Sequence, residues 1–237
     1  MTVKTTLIFV PGLLCDEALW APQMAALADI AACSVADTRR DNSIAGMAKR
    51  LLDAAPARFA LAGLSMGGYV ALETMFMAPE RVERLALLDT SAHADTPERS
   101  ASRQALVTRA VSGPEGFAAV VGEHLPNFIH PDRHSDKTLW ETIRASAANV
   151  GVAAYARQQK AIIERRDQRP NLGRIKCPTL VLCGRQDALT PLALHEEIAA
   201  GIPGSTLEVI EHCGHLATLE RPDAVNAAMR NWLETSR

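Results

Sequence analysis

The run Gly63-Leu64-Ser65-Met66-Gly67 sets a serine between two glycines. A serine hydroxyl attacks a carbonyl carbon well only when a base withdraws its proton and the backbone presents it clear of its neighbours. The flanking residues can supply that presentation. Phe59 to Leu64 reads as a buried strand and Gly67 to Ala78 as a helix, so Ser65 stands on a sharp strand-to-helix turn. Gly63 and Gly67 allow the fold-back where side chains would collide, and the following helix adds the positive end of its dipole near the reacting oxygen. At ordinary glycine and serine frequencies the five-residue pattern arises by chance in roughly one chain of this length in twelve. The choice between a nucleophile and a serine that merely caps the next helix therefore falls to partners elsewhere in the chain.

Two partners lie downstream. Thr179-Leu-Val-Leu-Cys183-Gly184-Arg-Gln-Asp187 puts an acid in the loop directly after an apolar strand, and Leu207-Glu-Val-Ile210-Glu-His-Cys-Gly214-His215 puts an imidazole in the loop after the last strand. An imidazole oriented by a carboxylate is the usual base for a serine. Loops at the carboxyl ends of parallel strands open on one edge of a sheet, so Ser65, Asp187 and His215 can converge there. Asp89, after Leu85-Ala-Leu-Leu, ends a strand on the same edge and is a second candidate orienter. His212, close to its strand end, suits a loop hydrogen bond better than the role of base.

The elements that must position these residues follow an α/β rhythm. Strands are expected at Thr6–Val10, Cys33–Ala36, Phe59–Leu64, Leu85–Asp89, Thr179–Cys183 and Leu207–Ile210, a minimum of six. Helices are expected at Ala18–Ala28, Ile44–Ala54, Gly67–Ala78, Pro191–Ala200 and Pro222–Glu234, the last with proline in its first turn. From about Asp95 to Arg169 no strand is recognisable. Amphipathic patterns there are divided by Gly113-Pro114, Pro126, Pro131 and Gly151, and Thr96-Pro97-Glu98 and Gly113-Pro114-Glu115 read as helix starts. This stretch is a helical insertion packed on a single domain spanning residues 1–237.

With Gly-Leu-Ser-Met-Gly-Gly, Gly-Arg-Gln-Asp and Gly-His-Leu in the order Ser, Asp, His, the chain resembles the α/β-hydrolase superfamily over nearly its whole length. The resemblance implies a mostly parallel central sheet flanked by helices, with a helical cap at about 95–169. It implies an oxyanion hole from the backbone N–H groups of Leu13 and Met66. The loop after the first strand commonly reads His-Gly in this family, whereas here it reads Val10-Pro11-Gly12-Leu13-Leu14; Pro11 removes one N–H and one side-chain hydrogen-bonder. The activity implied is that of a carboxylesterase-like serine hydrolase, cleaving a small carboxylic ester through an acyl-enzyme on Ser65 without metal or organic cofactor. Enol-lactone opening, carbon–carbon hydrolysis of diketones and peracid formation use the same residues in this superfamily. A non-catalytic ligand-binding protein on the same fold is the alternative of another class. The haloalkane-dehalogenase branch carries Asp where this chain has Ser65.

The rest of the composition narrows the partners. The 237 residues carry a formal charge of -2, which leaves no cationic excess for nucleic acid or an anionic membrane. A small-molecule acyl substrate is the expected partner. No stretch reaches membrane-spanning length, the N-terminal run lacks a secretory signal pattern, and five cysteines without a C-x-x-C pair suit reduced thiols in the cytoplasm. Neither disulfides nor a zinc site are expected. His93, His124, His130 and His134 read as surface or capping residues, and Cys15 as a packed thiol beside the Leu13 loop. Arg157, Lys160, Arg165 and Arg166 read as a solvated helix face rather than a carboxylate site, while Phe117, Phe128, Trp140 and Tyr155 hold the insertion together or line its tunnel.

Overall fold

The computed structural model describes residues 4–235. Its strands are β1 (Thr5–Val10), β2 (Ala31–Val35), β3 (Phe59–Leu64), β4 (Val82–Leu88), β5 (Thr179–Gly184) and β6 (Thr206–Ile210). They form one sheet in the order β2-β1-β3-β4-β5-β6, every pair parallel. β3 and β5 are buried along their whole length, because helices cover both faces of a parallel sheet. The edge strand β2 instead alternates between covered and solvent-facing residues. β4 begins three residues before the expected Leu85, as Val82 turns into the core and Arg84 reaches the carbonyls of Trp232 and Thr235.

The covering helices start where local chemistry allows. Between β1 and β2 the expected single helix is instead a 3-10 turn (Glu17–Trp20) followed by α1 (Ala21–Ala26). Asp16 caps the turn through Ala18 N–H, and Pro22, which has no N–H, prevents a continuous ladder. In α2 (Ile44–Ala54), Ser43 accepts from Gly46 N–H, and Ile44, Met47, Ala48 and Leu51 form the buried stripe. α3 (Met66–Met77) is buried from Met66 through Met75, nearly all round, as befits the helix at the centre of one face.

The segment between β4 and β5 is helical, as its pattern implies: α4 (Pro97–Ala110), α5 (Pro114–Phe128) and α6 (Lys137–Ile163). Thr96 caps α4 through Arg99 N–H and Asp136 caps α6 through Leu139 N–H. Pro126 does not divide the segment; it lies inside the last turn of α5. Gly151, at φ 72°, does divide α6 into residues 137–150 and 152–163, a backbone geometry that costs little only at glycine. Val120, Leu125, Tyr155 and Ile162 belong to the same buried cluster as the strands; full burial of each such side chain contributes about 1.5–3 kcal/mol relative to exposure. α7 (Leu192–Gly201), α8 (Ala217–Glu220) and α9 (Pro222–Glu234) complete the chain. No helix among the described residues is long and apolar enough to cross a membrane.

Candidate active site

Ser65 sits between β3 and α3 at φ 55°, ψ -116°, a conformation a non-glycine residue adopts only when its surroundings enforce it. The enforcement is steric. A Cβ on Gly63 would lie 2.2 Å from the carbonyl oxygen of Gly67, and one on Gly67 would lie 2.0 Å from that of Val10. The turn is thus pressed both onto itself and onto the end of β1. Ser65 N–H donates to Leu88 O, and Thr90 Oγ1 donates to Ser65 O at 2.8 Å, tying the serine to the end of β4. Thr90 is held in turn by its N–H donating to His195 Nε2 at 2.8 Å. His195, on α7, is wholly buried, and that burial pushes its pKa down to about 4, so it stays a neutral acceptor.

The three residues brought together from the sequence form a continuous relay. Ser65 Oγ lies 2.9 Å from His215 Nε2, and His215 Nδ1 lies 2.8 Å from Asp187 Oδ2. A carboxylate cannot donate, so Nδ1 carries the proton and Nε2 is left to accept from the serine hydroxyl. Asp187 further accepts from Leu189 N–H, Thr190 N–H and Thr190 Oγ1. Burial works against its charge, but His215 and the Thr190 bonds outweigh it and hold the carboxyl below the ordinary range. Asp89, the other candidate orienter, instead receives Gly184 N–H at 2.9 Å and Ala217 N–H at 3.4 Å. Burial and the charge of Asp187 raise its pKa well above the usual value. Asp89 therefore fastens the acid and histidine loops to each other. His212 is exposed at φ 51°, and its carbonyl accepts from Arg221.

The Leu13 loop passes beside the nucleophile despite Pro11: a Cβ on Gly12 would stand 3.4 Å from Ser65 Cβ. Leu14, at φ 61°, gives its N–H to Gln158 Oε1 at 3.2 Å. Asp16 N–H donates to Ser146 Oγ, and the Asp16 carboxylate accepts from Ser146 and Asn149. Both halves of α6 thereby fix this loop. Leu14 is committed to Gln158, whereas Met66, the first residue of α3, has no intrahelical acceptor for its N–H. A cavity of about 80 Å³ opens over Ser65, lined by Leu13, Cys15, Tyr69, Phe128, Leu216 and others. Cys15 both packs and lines it; burial and the charge of Asp16 push its thiol up to about 12, so it is no nucleophile.

Of the insertion residues, Arg165 and His124 differ from expectation. Arg165 is buried rather than solvated: it pairs with Asp95 at 2.8 Å and lies over the Tyr69 ring. Arg166 pairs with Glu73, Lys160 with Glu164, and Arg157 donates to Arg39 O. His124 is no surface residue, since it lines the cavity and meets Tyr155 OH at 3.1 Å. Burial and the nearby Arg103 lower its pKa to about 4. Phe128 lines the cavity, Phe117 packs on Tyr155, and Trp140 donates to His134 O. Away from the cavity, His130, Asp132 and His212 bring potential metal-ligating atoms within 4.8 Å of one another, the only such group among the described residues.

Residues 5–222 match the model of the alpha/beta hydrolase fold. The chain belongs to the α/β-hydrolase family. It is 30% identical over 167 residues to the 3-oxoadipate enol-lactonase 2 of Acinetobacter baylyi, covering 70% of this chain and 60% of that protein. The malate-bound structure of a thermophilic esterase from Thermogutta terrifontis superposes with a TM-score of 0.89 at 29% identity, covering 98% of this chain and 90% of that one. The enol-lactonase from Burkholderia xenovorans LB400 superposes at 0.88 with 27% identity over 98% and 92%. A hydrolytic role follows for this α/β-hydrolase.

Proposed function

We propose that this α/β-hydrolase is a serine hydrolase that cleaves a small carboxylic ester through an acyl-enzyme on Ser65. The observation that carries the reading is the Ser65–His215–Asp187 relay at 2.9 Å and 2.8 Å. His215 Nε2 removes the Ser65 proton as Oγ attacks the carbonyl carbon, and Asp187 stabilises the imidazolium so formed. The negative oxygen of the tetrahedral intermediate rests on the N–H groups of Leu13 and Met66, each such donor contributing on the order of 3 kcal/mol to lowering the barrier. Protonation by His215 expels the alcohol. Water, activated by the same imidazole, then releases the acid. Apart from the attacking water, every step uses side chains and backbone of this chain. Likeness to two enol-lactonases supports an enol-lactone as a second substrate class. The test is turnover of p-nitrophenyl butanoate by wild type and Ser65→Ala. Loss of turnover in a variant that melts like wild type is expected; a variant that keeps its turnover refutes the scheme.

A further inference from the structure

The cavity over Ser65 is lined by two arginines of α4, Arg99 and Arg103, and by no aspartate or glutamate. One turn apart, they share a helix face. Their charge is poorly balanced by the protein. Arg99 has no carboxylate partner among the described residues, and its side chain makes a single hydrogen bond, from Nη2 to Leu189 O at 3.2 Å. Arg103 spends Nε on Asp95 Oδ2 at 3.0 Å and Nη1 on Gln159 Oε1 at 2.9 Å, leaving Nη2 free of protein acceptors. Asp95 is itself shared, because its other oxygen is taken by Arg165. Two guanidiniums, Arg103 and Arg165, thus share one carboxylate, and Arg99 beside them has none. The remaining polar groups there do not restore the balance: His124 and Thr190 are neutral, and the nearest acid behind the wall, Asp187, is spent on His215 and Thr190.

We infer that Arg99 and Arg103 form an anion subsite, and that the substrate is an ester or lactone carrying a carboxylate. This rests on the serine-hydrolase reading above. A guanidinium offers two parallel donors that match a carboxylate, and ion pairs shielded from water inside a cleft are stronger than exposed ones. Arg103, fixed by Asp95 and Gln159, supplies a preset cation. Arg99, exposed and held by one carbonyl, is free to turn onto the ligand. Placed beside the serine, the pair would select substrates by charge, and the preference should weaken as salt rises.

The test compares matched esters. One pair carries the charge on the acyl side (the mono-p-nitrophenyl ester of adipic acid against p-nitrophenyl hexanoate), the other on the leaving group (4-butanoyloxybenzoate against phenyl butanoate). In low salt the wild type is expected to favour the anionic member of at least one pair by tenfold or more in kcat/KM. Arg99→Ala should cut that ratio at least fivefold and Arg103→Gln at least as much, chiefly through KM. Arg109→Ala, on the same helix but paired with Glu123 outside the cavity, should keep the wild-type ratio. No preference in either pair, or a preference that survives both Arg99→Ala and Arg103→Gln, overturns the subsite. Fluorophosphonate labelling of Ser65 separates the two readings: labelled enzyme without charge preference refutes only the anion subsite, whereas unlabelled enzyme refutes the serine hydrolase itself.

Discussion

The turn that carries Ser65 and the helical insertion that roofs it are held in opposite ways. The turn is fixed by backbone pressed on backbone, with Gly63 and Gly67 at distances no side chain could share. The insertion is fixed by side chains: Asp95 between Arg103 and Arg165, Tyr155 between His124 and Gln159, and Gln158 and Ser146 reaching back to the Leu13 loop. Contacts between backbones tolerate almost no substitution, whereas contacts between long side chains can be exchanged singly. Placement of the reacting atoms is therefore rigid, and the walls that choose a substrate are adjustable.

The largest effect should come from the rigid region. Asp187→Asn keeps the shape but lets the imidazole take the wrong tautomer, so kcat for an activated ester should fall by about 10³–10⁴ while the melting temperature changes little; stopped-flow or steady-state kinetics measure it. A fall of less than tenfold would assign the orienting role elsewhere, with Asp89 the first candidate. Next comes Gly67→Ala, whose methyl would collide with the carbonyl of Val10. Overpacking against backbone should cost on the order of 3 kcal/mol in urea unfolding; a cost below 1 kcal/mol would show that the turn can relax.

A third effect is expected in the insertion. His124 has a folded pKa of about 4 against the ordinary 6.5. Between those values the unfolded chain binds a proton that the folded one refuses, so stability is full above pH 6.5 and is lost as pH falls towards 4. At pH 5 the loss from this residue is about 2 kcal/mol. His124→Gln should flatten the fall in unfolding free energy between pH 7 and 5 by about that amount, and an unchanged slope would mean the ring is charged in the fold. The smallest effect belongs to the exposed Arg109–Glu123 pair. Removing Arg109 should move stability by less than about 1 kcal/mol, as surface ion pairs do. A larger change would make the insertion's outer face as rigid as the turn.

The same contrast explains what could be read from the sequence. Ser65, Asp187 and His215 were legible because a parallel sheet brings loops after its strands to one edge, so chain order and strand ends suffice. β3, α2 and α9 run between the residues their patterns mark. α1 came out shorter because Pro22 acts on a ladder whose start the hydrophobic pattern does not locate. Thr90 and His195 were invisible, since their roles arise from hydrogen bonds that join the loop after β4 to Ser65 and to α7, which no local spacing encodes. In the insertion, periodicity located the helices but not which face of α4 meets the cavity. Nothing in the pattern therefore marks Arg99 and Arg103, and Arg165, which the pattern places on a solvated face, lies buried over Tyr69.

One measurement addresses Ser65 directly. The purified chain is treated with a fluorophosphonate, and the modified residue is located by peptide mass spectrometry. One adduct is expected, on Ser65, which is lost in Ser65→Ala and slowed by orders of magnitude in His215→Ala. An unreacted wild type, or an adduct on any other residue, would contradict it.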